Sequence, residues 1–298
     1  MKRSDFPLKW VLLVLLALIW GSSFILMKKG LHAFRPEQVA AIRISIACLA
    51  TFPLIAGKLK TLPRKSVPFI AVVGLVGSGI PAFLFATAQT RINSSLAGML
   101  NGLTPVFTLL LGSLFFKTKF TGRQIAGVFT GFAGAAGLIL VRADGHIGLD
   151  SAGYAVLILF ATLGYGLSVN TIKTYLGDVN SFLISGVSLL FVGIPYLIFL
   201  LSSDFLLRLQ TAEGAGISFA AVATLGLIGT AVSNVLYFQM VKISSPLFAS
   251  AVTYLIPVVA LLWGFADGEE LHPLHMLAMA LILCGVALIS RPKKAVET

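Results

Sequence analysis

Long apolar runs separated by short polar connections occupy almost the whole chain. Each run holds about 20 mostly apolar residues, the length at which an α-helix crosses the hydrocarbon core of a bilayer. Ten runs meet this criterion and are called segments 1 to 10 below. In order they are Trp10–Lys28, Val39–Ala56, Val67–Ala88, Ser94–Phe116, Arg123–Val141, Gly153–Lys173, Ser181–Leu201, Ile217–Val241, Pro246–Ala266 and Leu274–Ser290. The pattern predicts an all-α membrane protein with ten transmembrane helices.

Segments 3 and 4 recur as segments 8 and 9. When the two stretches are aligned at a constant spacing without a gap, identical residues include Gly74/Gly226, Gly77/Gly229, Pro105/Pro257 and Val106/Val258. A weaker match pairs Gly21 of segment 1 with Gly164 of segment 6. The repeat unit then holds five helices, and because five is odd the second copy enters the membrane from the opposite side. We therefore expect two inverted five-helix repeats, residues 1–145 and 146–298, packed together as one membrane domain.

Composition and charge agree with a membrane location. Charged residues make up only 11% of the chain and the mean hydropathy is +0.97, whereas soluble domains carry about 25% charged residues. The net charge of +11 does not indicate a nucleic-acid partner, because the basic residues form short clusters between segments. With a cytoplasmic N-terminus, 15 Lys and Arg fall inside and 6 outside, as the positive-inside rule requires. We expect an inner-membrane protein in the lipid bilayer with both termini cytoplasmic.

The groups that enzymes and ATP-driven pumps need are missing from the segments. Every Asp, Glu and His falls at a terminus, in a connection or at a segment end, and no Gly-Lys-Ser/Thr phosphate loop occurs. We therefore expect no catalytic residue, no metal site and no cofactor, and a transporter rather than an enzyme. Any coupled proton would need a boundary acid such as Glu37 or Glu269, or a path outside the side chains, so facilitation is favoured over proton antiport.

Polar and aromatic residues inside the segments are the candidates for a solute site, because polar groups are costly in lipid. In the repeated block, Asn101 stands opposite Thr253 and Phe85 opposite Tyr237. The candidate solute-binding residues are Trp20, Arg43, Phe83, Gln89, Asn101, Tyr165, Asn170, Asn234, Tyr237, Thr253 and Tyr254. Each has a structural alternative, since amides also bond between helices and aromatic rings also serve only as packing.

Two further features leave alternatives open. Arg43 lies inside segment 2, where a guanidinium must pair, reach water or contact a ligand. It is either a structural tie to carbonyls or to Glu37, or a contact for an anionic group such as a carboxylate. The repeated Pro105 and Pro257 remove backbone hydrogen bonds, and the carbonyls that they free are expected to face a cavity.

Segment 5 carries small residues along one helical face. They are Gly127, Gly131, Gly134 and Gly137, and segment 10 has a weaker counterpart in Ala278 and Gly285. Such faces allow two helix backbones to approach closely. Segments 5 and 10 are therefore predicted to be scaffold rather than solute-binding helices.

The repeated block, together with the sequence from Trp20 to Phe24, Arg43, and the sequence from Gly268 to Leu271, resembles the EamA family of the drug/metabolite transporter superfamily. The resemblance covers essentially the whole chain. It implies a secondary transporter that exports amino acids or related metabolites. One departure concerns the Glu that usually follows the fourth helix of each repeat: Glu269 fits it, whereas the first copy has Lys117-Thr118-Lys119.

The sequence therefore predicts a transporter of small organic solutes that works by alternating access. Multidrug efflux and solute import are the alternatives within transport. A more remote alternative is a membrane enzyme acting on lipid-linked substrates. Its best support is a cluster of acids and histidines before segment 10, namely Asp267, Glu269, Glu270, His272 and His275. The sequence does not give the oligomeric state.

Overall fold

A computed structural model describes residues 5–116, 121–140, 152–243, 252–270 and 272–290, and every regular element in these ranges is helical. The Lys117-Thr118-Lys119 sequence, the join between the predicted repeats and both chain ends lie outside them. The helices are Asp5–Gly30, Pro36–Ile55, Ala56–Thr61, Arg64–Ser66, Val67–Gly74, Leu75–Gly79, Ile80–Ala88, Ser94–Asn101, Thr104–Phe116, Gly122–Leu140, Ala152–Tyr175, Ser181–Ser202, Phe205–Thr211, Ala215–Gly226, Leu227–Val232, Ser233–Ile243, Val252–Ala266 and Pro273–Ser290.

Several of these helices run on into one another and form longer rods. In the described residues, seven stretches are long and apolar enough to cross a membrane. They are Leu8–Gly30, Pro36–Thr61, Arg64–Ala88, Ser94–Phe116, Ala152–Tyr175, Ser181–Ser202 and Ala215–Met240, and two shorter apolar helices are Leu255–Ala266 and Pro273–Gly285. The chain is thus an all-helical, multi-pass membrane protein.

Segments 3 and 8 contain a stretch of π-helix at the same place in the repeat. It spans Leu75–Gly79 in segment 3 and Leu227–Val232 in segment 8, each directly after a matched glycine. A π-turn holds one residue more than an α-turn, so it leaves some carbonyls without their usual partner. In segment 8 the Thr230 hydroxyl donates to the Leu225 carbonyl five residues earlier, at 3.2 Å.

Segment 4 is broken near its middle, whereas the described part of segment 9 is one continuous helix. Its first helix ends at Asn101 and its second begins at Thr104, because Pro105 has no N–H to give to the Asn101 carbonyl. That carbonyl instead accepts a hydrogen bond from the Thr104 hydroxyl at 2.8 Å. Pro257 lies inside the continuous helix Val252–Ala266. The repeated proline therefore has different local effects in the two copies.

Helices from the two halves of the chain pack mainly against each other. Segment 1 lies against segments 8 and 9, and segment 6 lies against segments 3 and 4. Segment 2 packs along segment 7, and segment 5 along segment 10. At the crossings there is no room for a Cβ: Gly74 meets the Ser188 carbonyl of segment 7, and Gly226 meets the Arg43 carbonyl of segment 2. Matched glycines thus fix matched crossings.

The same comparison corrects the weaker match between segments 1 and 6. A Cβ on Gly21 would collide with Val259 of segment 9, and one on Gly166 would collide with the backbone at Phe107 of segment 4. Phe107 and Val259 are matched positions of the repeat, whereas Gly164 contacts segment 3 instead. The contacts make Gly166, rather than Gly164, the counterpart of Gly21.

The close approach predicted for segments 5 and 10 is confirmed. A Cβ on Gly134 would lie 2.6 Å from the Ala278 carbonyl oxygen, and one on Gly285 would lie 2.6 Å from backbone atoms of both Gly127 and Gly131. No flexible side chain is available at these points to move aside. The two helices are therefore held together by direct backbone contact.

A buried carboxylate ties three segments together near one end of the bundle. Both oxygens of Glu269, in the connection after segment 9, accept hydrogen bonds from the backbone N–H and hydroxyl groups of Ser94 and Ser95, at 2.7–3.0 Å. Lys28 of segment 1 donates to the same carboxylate at 2.9 Å and to Asp267 at 2.7 Å. Because the first N–H groups of a helix have no intrahelical partner, the N-terminus of segment 4 is an anion site that the protein fills itself.

The ionisation of Glu269 follows from these contacts. Its burial alone would raise the pKa, but the hydrogen bonds from Ser94, Ser95 and Lys28 outweigh burial and hold the pKa of Glu269 at about 2. The carboxylate therefore stays charged at physiological pH. While these hydrogen bonds are in place, the low pKa of Glu269 disfavours the role of boundary proton carrier that the sequence left open.

Replacing glycine by alanine should have different effects on stability at the contact between segments 5 and 10 and at a position without neighbours. Gly134→Ala and Gly285→Ala should each destabilise the protein by about 2 kcal/mol, because the new methyl group meets backbone. Gly153→Ala is the matched control, since nothing lies within 4 Å of its Cβ position, and helix propensity should make it neutral or stabilising. Thermal unfolding of the purified proteins in one detergent measures this. Equal midpoints for all three variants would contradict the backbone contact.

Glu269→Gln should lower the free energy of unfolding by about 3 kcal/mol, because it removes the charge from a buried carboxylate that accepts hydrogen bonds from Ser94, Ser95 and Lys28. The folded-state pKa of about 2 lies below the reference value of 4.5, so the contribution is present in full above pH 4.5 and is lost as the pH falls toward 2. Between pH 8 and pH 3, the gap in unfolding midpoint between wild type and variant should hold down to about pH 4.5 and narrow below it. The exposed neighbour provides a control, Glu270→Gln. A gap between wild type and Glu269→Gln that persists unchanged at pH 3 would refute the tie.

Candidate solute site

A cavity lies between the two halves of the chain, with about 1060 Å³ of space not filled by protein atoms, its open mouth included. Its wall is built largely from matched positions of segments 1 and 6, 3 and 8, and 4 and 9. With Gly21 aligned to Gly166, the lining pairs are Trp20/Tyr165, Ser23/Ser168, Phe24/Val169, Met27/Ile172, Gly77/Gly229, Ser78/Thr230, Phe85/Tyr237, Asn101/Thr253 and Thr104/Ile256. A wall that combines apolar and aromatic surface with a few polar groups is typical of a small-molecule site.

Seven of the eleven predicted site residues line this cavity. They are Trp20, Arg43, Asn101, Tyr165, Asn234, Tyr237 and Thr253. Phe83 lies on the outer surface with 40% of its area exposed, and Gln89 and Asn170 do not reach the cavity wall. The Tyr254 side chain is outside the part of the protein that the structure describes.

The buried amides separate into two groups by their hydrogen bonds. Asn170 donates to the Thr108 carbonyl at 2.8 Å and to the Gly166 carbonyl at 2.9 Å, and Gln89 donates to the Phe24 carbonyl at 3.0 Å. These two join helices. The Asn101 and Asn234 side chains line the cavity, and neither has a hydrogen-bond partner among the described residues. Their donors and acceptors are available to a solute.

Sequence reasoning missed part of the lining, although the signal was present. Segment 1 contributes Trp20, Ser23, Phe24 and Met27, which recur at the spacing of one helical face, and segment 6 contributes four residues with the same spacing. The spacing identifies the cavity face of each helix once its first member is known. Of these eight residues, only the first aromatic residue of each set was predicted.

Aromatic rings form much of the apolar wall. The Trp20 indole N–H donates to the Ser233 hydroxyl at 2.9 Å, and its ring lies 5.1 Å from that of Tyr237. On the other side Phe85 lies 5.6 Å from Phe24 and 6.1 Å from Tyr165, centroid to centroid. The indole bond and the ring contacts hold these side chains in place, so the apolar wall has a fixed shape.

Arg43 is the charged residue of the wall. Its Nε donates to the Thr230 hydroxyl of segment 8 at 2.8 Å. The tie to Glu37 that the sequence left open is not formed, because Glu37 lies 3.1 Å from Arg35 instead. The position in segment 7 that matches Arg43 is Ser188, whose hydroxyl donates to the Ser185 carbonyl within its own helix. Among the described lining residues, the cation thus comes from the first half alone.

The cavity can bind but offers little for covalent chemistry. No Asp, Glu, His or Cys occurs among the lining residues that the structure describes. The wall presents hydroxyl and amide groups, aromatic surface and one guanidinium. Such a lining can recognise a small organic solute through a few polar contacts and a larger apolar one.

Comparison with known proteins agrees with a transport role. The profile of the EamA-like transporter family matches the chain twice, over residues 8–140 and 153–291. The probable terminal-alkyne amino-acid exporter of Streptantibioticus cattleyicolor is 28% identical over 94% of this chain and 92% of its own length. The uncharacterized inner membrane transporter YedA of Escherichia coli is 28% identical over 93% of this chain and 89% of its own length.

Two further comparisons are consistent with these. The probable amino-acid metabolite efflux pump of Escherichia coli is 30% identical, but over only 47% of this chain and 44% of its own length. A solved crystal structure superposes with a TM-score of 0.65 at 17% identity, covering 96% of both chains, which supports the fold alone. Since the family profile covers most of the chain in two copies, the protein belongs to the EamA-like transporter family and is a transporter of small solutes.

Proposed function

We propose that this protein exports amino acids or related small metabolites across the inner membrane by alternating access. The observation that carries the proposal is the cavity between the halves, whose wall is built largely from matched pairs of residues. A site between two halves becomes accessible from either side when one half rocks against the other. The two relatives matched over nearly their full length are named as an amino-acid exporter and an inner membrane transporter, which favours this solute class, direction and membrane.

The proposal includes ten spans arranged as two inverted repeats of five. Three findings support it: the π-stretches at matched positions, the matched glycine crossings of Gly74 and Gly226, and the reciprocal packing of segments 1 and 6. A pseudo-two-fold axis through the cavity would produce all three. The distribution of Lys and Arg favours both termini in the cytoplasm.

The contacts of the acids and histidines before segment 10 bear on the alternative functions. Multidrug efflux and import use the same architecture, so the solute and its direction have to be measured. The enzyme alternative rested on the acids and histidines before segment 10. There, Glu269 and Asp267 are engaged by Lys28, and the Nδ1 atoms of His272 and His275 accept backbone N–H bonds at the start of the helix. Structural roles for these groups favour a transporter over an enzyme.

Inverted topology predicts that Lys60 and Ala143 lie on opposite sides of the membrane. In a background of Cys48→Ala and Cys284→Ala, a cysteine at position 143 should react with a membrane-impermeant maleimide in intact cells. A cysteine at position 60 should react only after the cells are permeabilised. Labelling of both positions from the same side would rule out the inverted repeat.

Counterflow in proteoliposomes tests the transport proposal and its site. Wild-type protein should accumulate at least one radiolabelled amino acid, and Asn101→Leu and Asn234→Leu should each lower the rate about tenfold. Leucine keeps the side-chain size but removes a hydrogen bond to solute worth about 1.4 kcal/mol. Phe83→Leu is the control, because Phe83 faces outward, and it should transport like wild type.

Two results would count against this proposal. If wild type exchanges none of the amino acids, amino-acid export is contradicted. If both asparagine variants transport normally, the cavity is not the solute site. Unfolding midpoints of all variants in detergent, measured in parallel, separate a lost contact from a lost fold.

A further inference from the structure

We infer that Arg43 is the anchor for a single carboxylate, and that the protein selects monocarboxylate or zwitterionic solutes with an apolar body over cations. The inference rests on the proposed transport function and names the solute class for that same cavity. It starts from what the guanidinium does and does not contact.

Arg43 is fixed at one nitrogen and open at the others. Its Nε donates to Thr230, which in turn donates to the Leu225 carbonyl, so the hydroxyl is itself held. The two terminal nitrogens have no hydrogen-bond partner among the described residues. A guanidinium is always protonated and presents a planar fork of donors that matches a carboxylate. Fixing Nε while leaving the outer edge open prepares the group for bidentate binding.

No acidic group among the described residues neutralises the charge of Arg43. Arg43 forms no salt bridge with any described residue, and Glu37 instead forms an ion pair with Arg35. A cation at membrane depth without a counter-charge is costly, and such residues commonly mark a solute path. A bound anionic solute would pair with the guanidinium of Arg43. This pairing stabilises the solute-bound protein relative to the empty one.

The rest of the lining limits what the solute can carry besides the carboxylate. No acidic side chain is present among the described lining residues to balance a cationic group. An ammonium could still be accepted by the Asn101 and Asn234 amide oxygens, or by the faces of Trp20 and Tyr237. A zwitterion is therefore tolerated, whereas a solute with net positive charge is repelled by Arg43 and has no carboxylate of its own to offset that repulsion.

The number of cations limits the number of carboxylates. The position matched to Arg43 is Ser188, which bonds within its own helix, so the second half offers no equivalent anchor. Aromatic rings occupy much of the remaining wall, where Phe85 contacts both Phe24 and Tyr165. This pairing of one charge with a large apolar surface suits a solute with one carboxylate and an apolar body, and disfavours dicarboxylates.

A ligand series of constant shape tests the inference without any mutation. The probes are phenylacetate, phenylacetamide, phenethylamine and L-phenylalanine, with isocaproate and isocaproamide as the non-aromatic pair. The measurement is the rise in unfolding midpoint of the purified protein with ligand concentration. We expect each carboxylate to half-saturate at a concentration at least tenfold lower than its amide, and phenethylamine to have no effect.

Variants then assign the preference to Arg43. Arg43→Gln should abolish the difference between acid and amide, and Arg43→Lys should keep part of it, because the charge remains but the fork is lost. Arg91→Gln is the matched control, since it removes a cation that contacts Tyr154 outside the cavity, and it should behave as wild type. If Arg43→Gln does not fold, the wild-type series and Arg43→Lys still decide.

The inference is overturned if amides stabilise wild type as well as acids do, if Arg43→Gln retains the preference, or if no carboxylate binds. Counterflow distinguishes this failure from failure of the proposed function. A protein that exchanges amino acids but shows no acid preference keeps its transport role and loses the anchor. One that binds acids through Arg43 but exchanges no solute keeps the anchor and loses the transport role.

Discussion

The close contact of helix backbones across the two halves is the constraint on which the rest of the structure depends. Gly74 and Gly226 allow segments 3 and 8 to press directly on carbonyl groups of segments 7 and 2. The π-stretches begin immediately after these crossings, and the second of them carries Thr230. The residue whose carbonyl meets Gly226 is Arg43 itself, so one crossing both packs the halves and brings the guanidinium to its hydroxyl partner.

Much of the fold could be predicted because the bilayer leaves few options. Apolar runs of the right length have to be helices, since backbone groups in lipid must be paired within their own segment. The repeat was visible as Gly and Pro matches without a gap. The register of segments 1 and 6 was not, because it depends on which glycine touches which neighbour, and Gly164 and Gly166 look alike in sequence.

The site was only partly predictable, for two physical reasons. The π-turn in segment 3 adds a residue to one turn and rotates the faces beyond it, so Phe85 lines the cavity while Phe83 faces outward. Residue type also cannot tell a bound amide from a free one. Asn170 and Asn234 carry the same side chain, yet among the described residues only the first finds carbonyl partners.

The Glu269 tie has an energetic consequence for a duplicated fold. Two identical inverted halves would give inward-open and outward-open forms of equal free energy. Each form would then be populated half of the time. Lys117-Thr118-Lys119 stands where the first copy would carry the matching glutamate, so that position supplies no equivalent tie at the opposite face. If the tie breaks when its own face opens, a difference of about 3 kcal/mol would populate one resting orientation roughly 100-fold over the other. A sequence difference at a single pair of matched positions would then make one of the two otherwise equivalent conformations the more stable resting state.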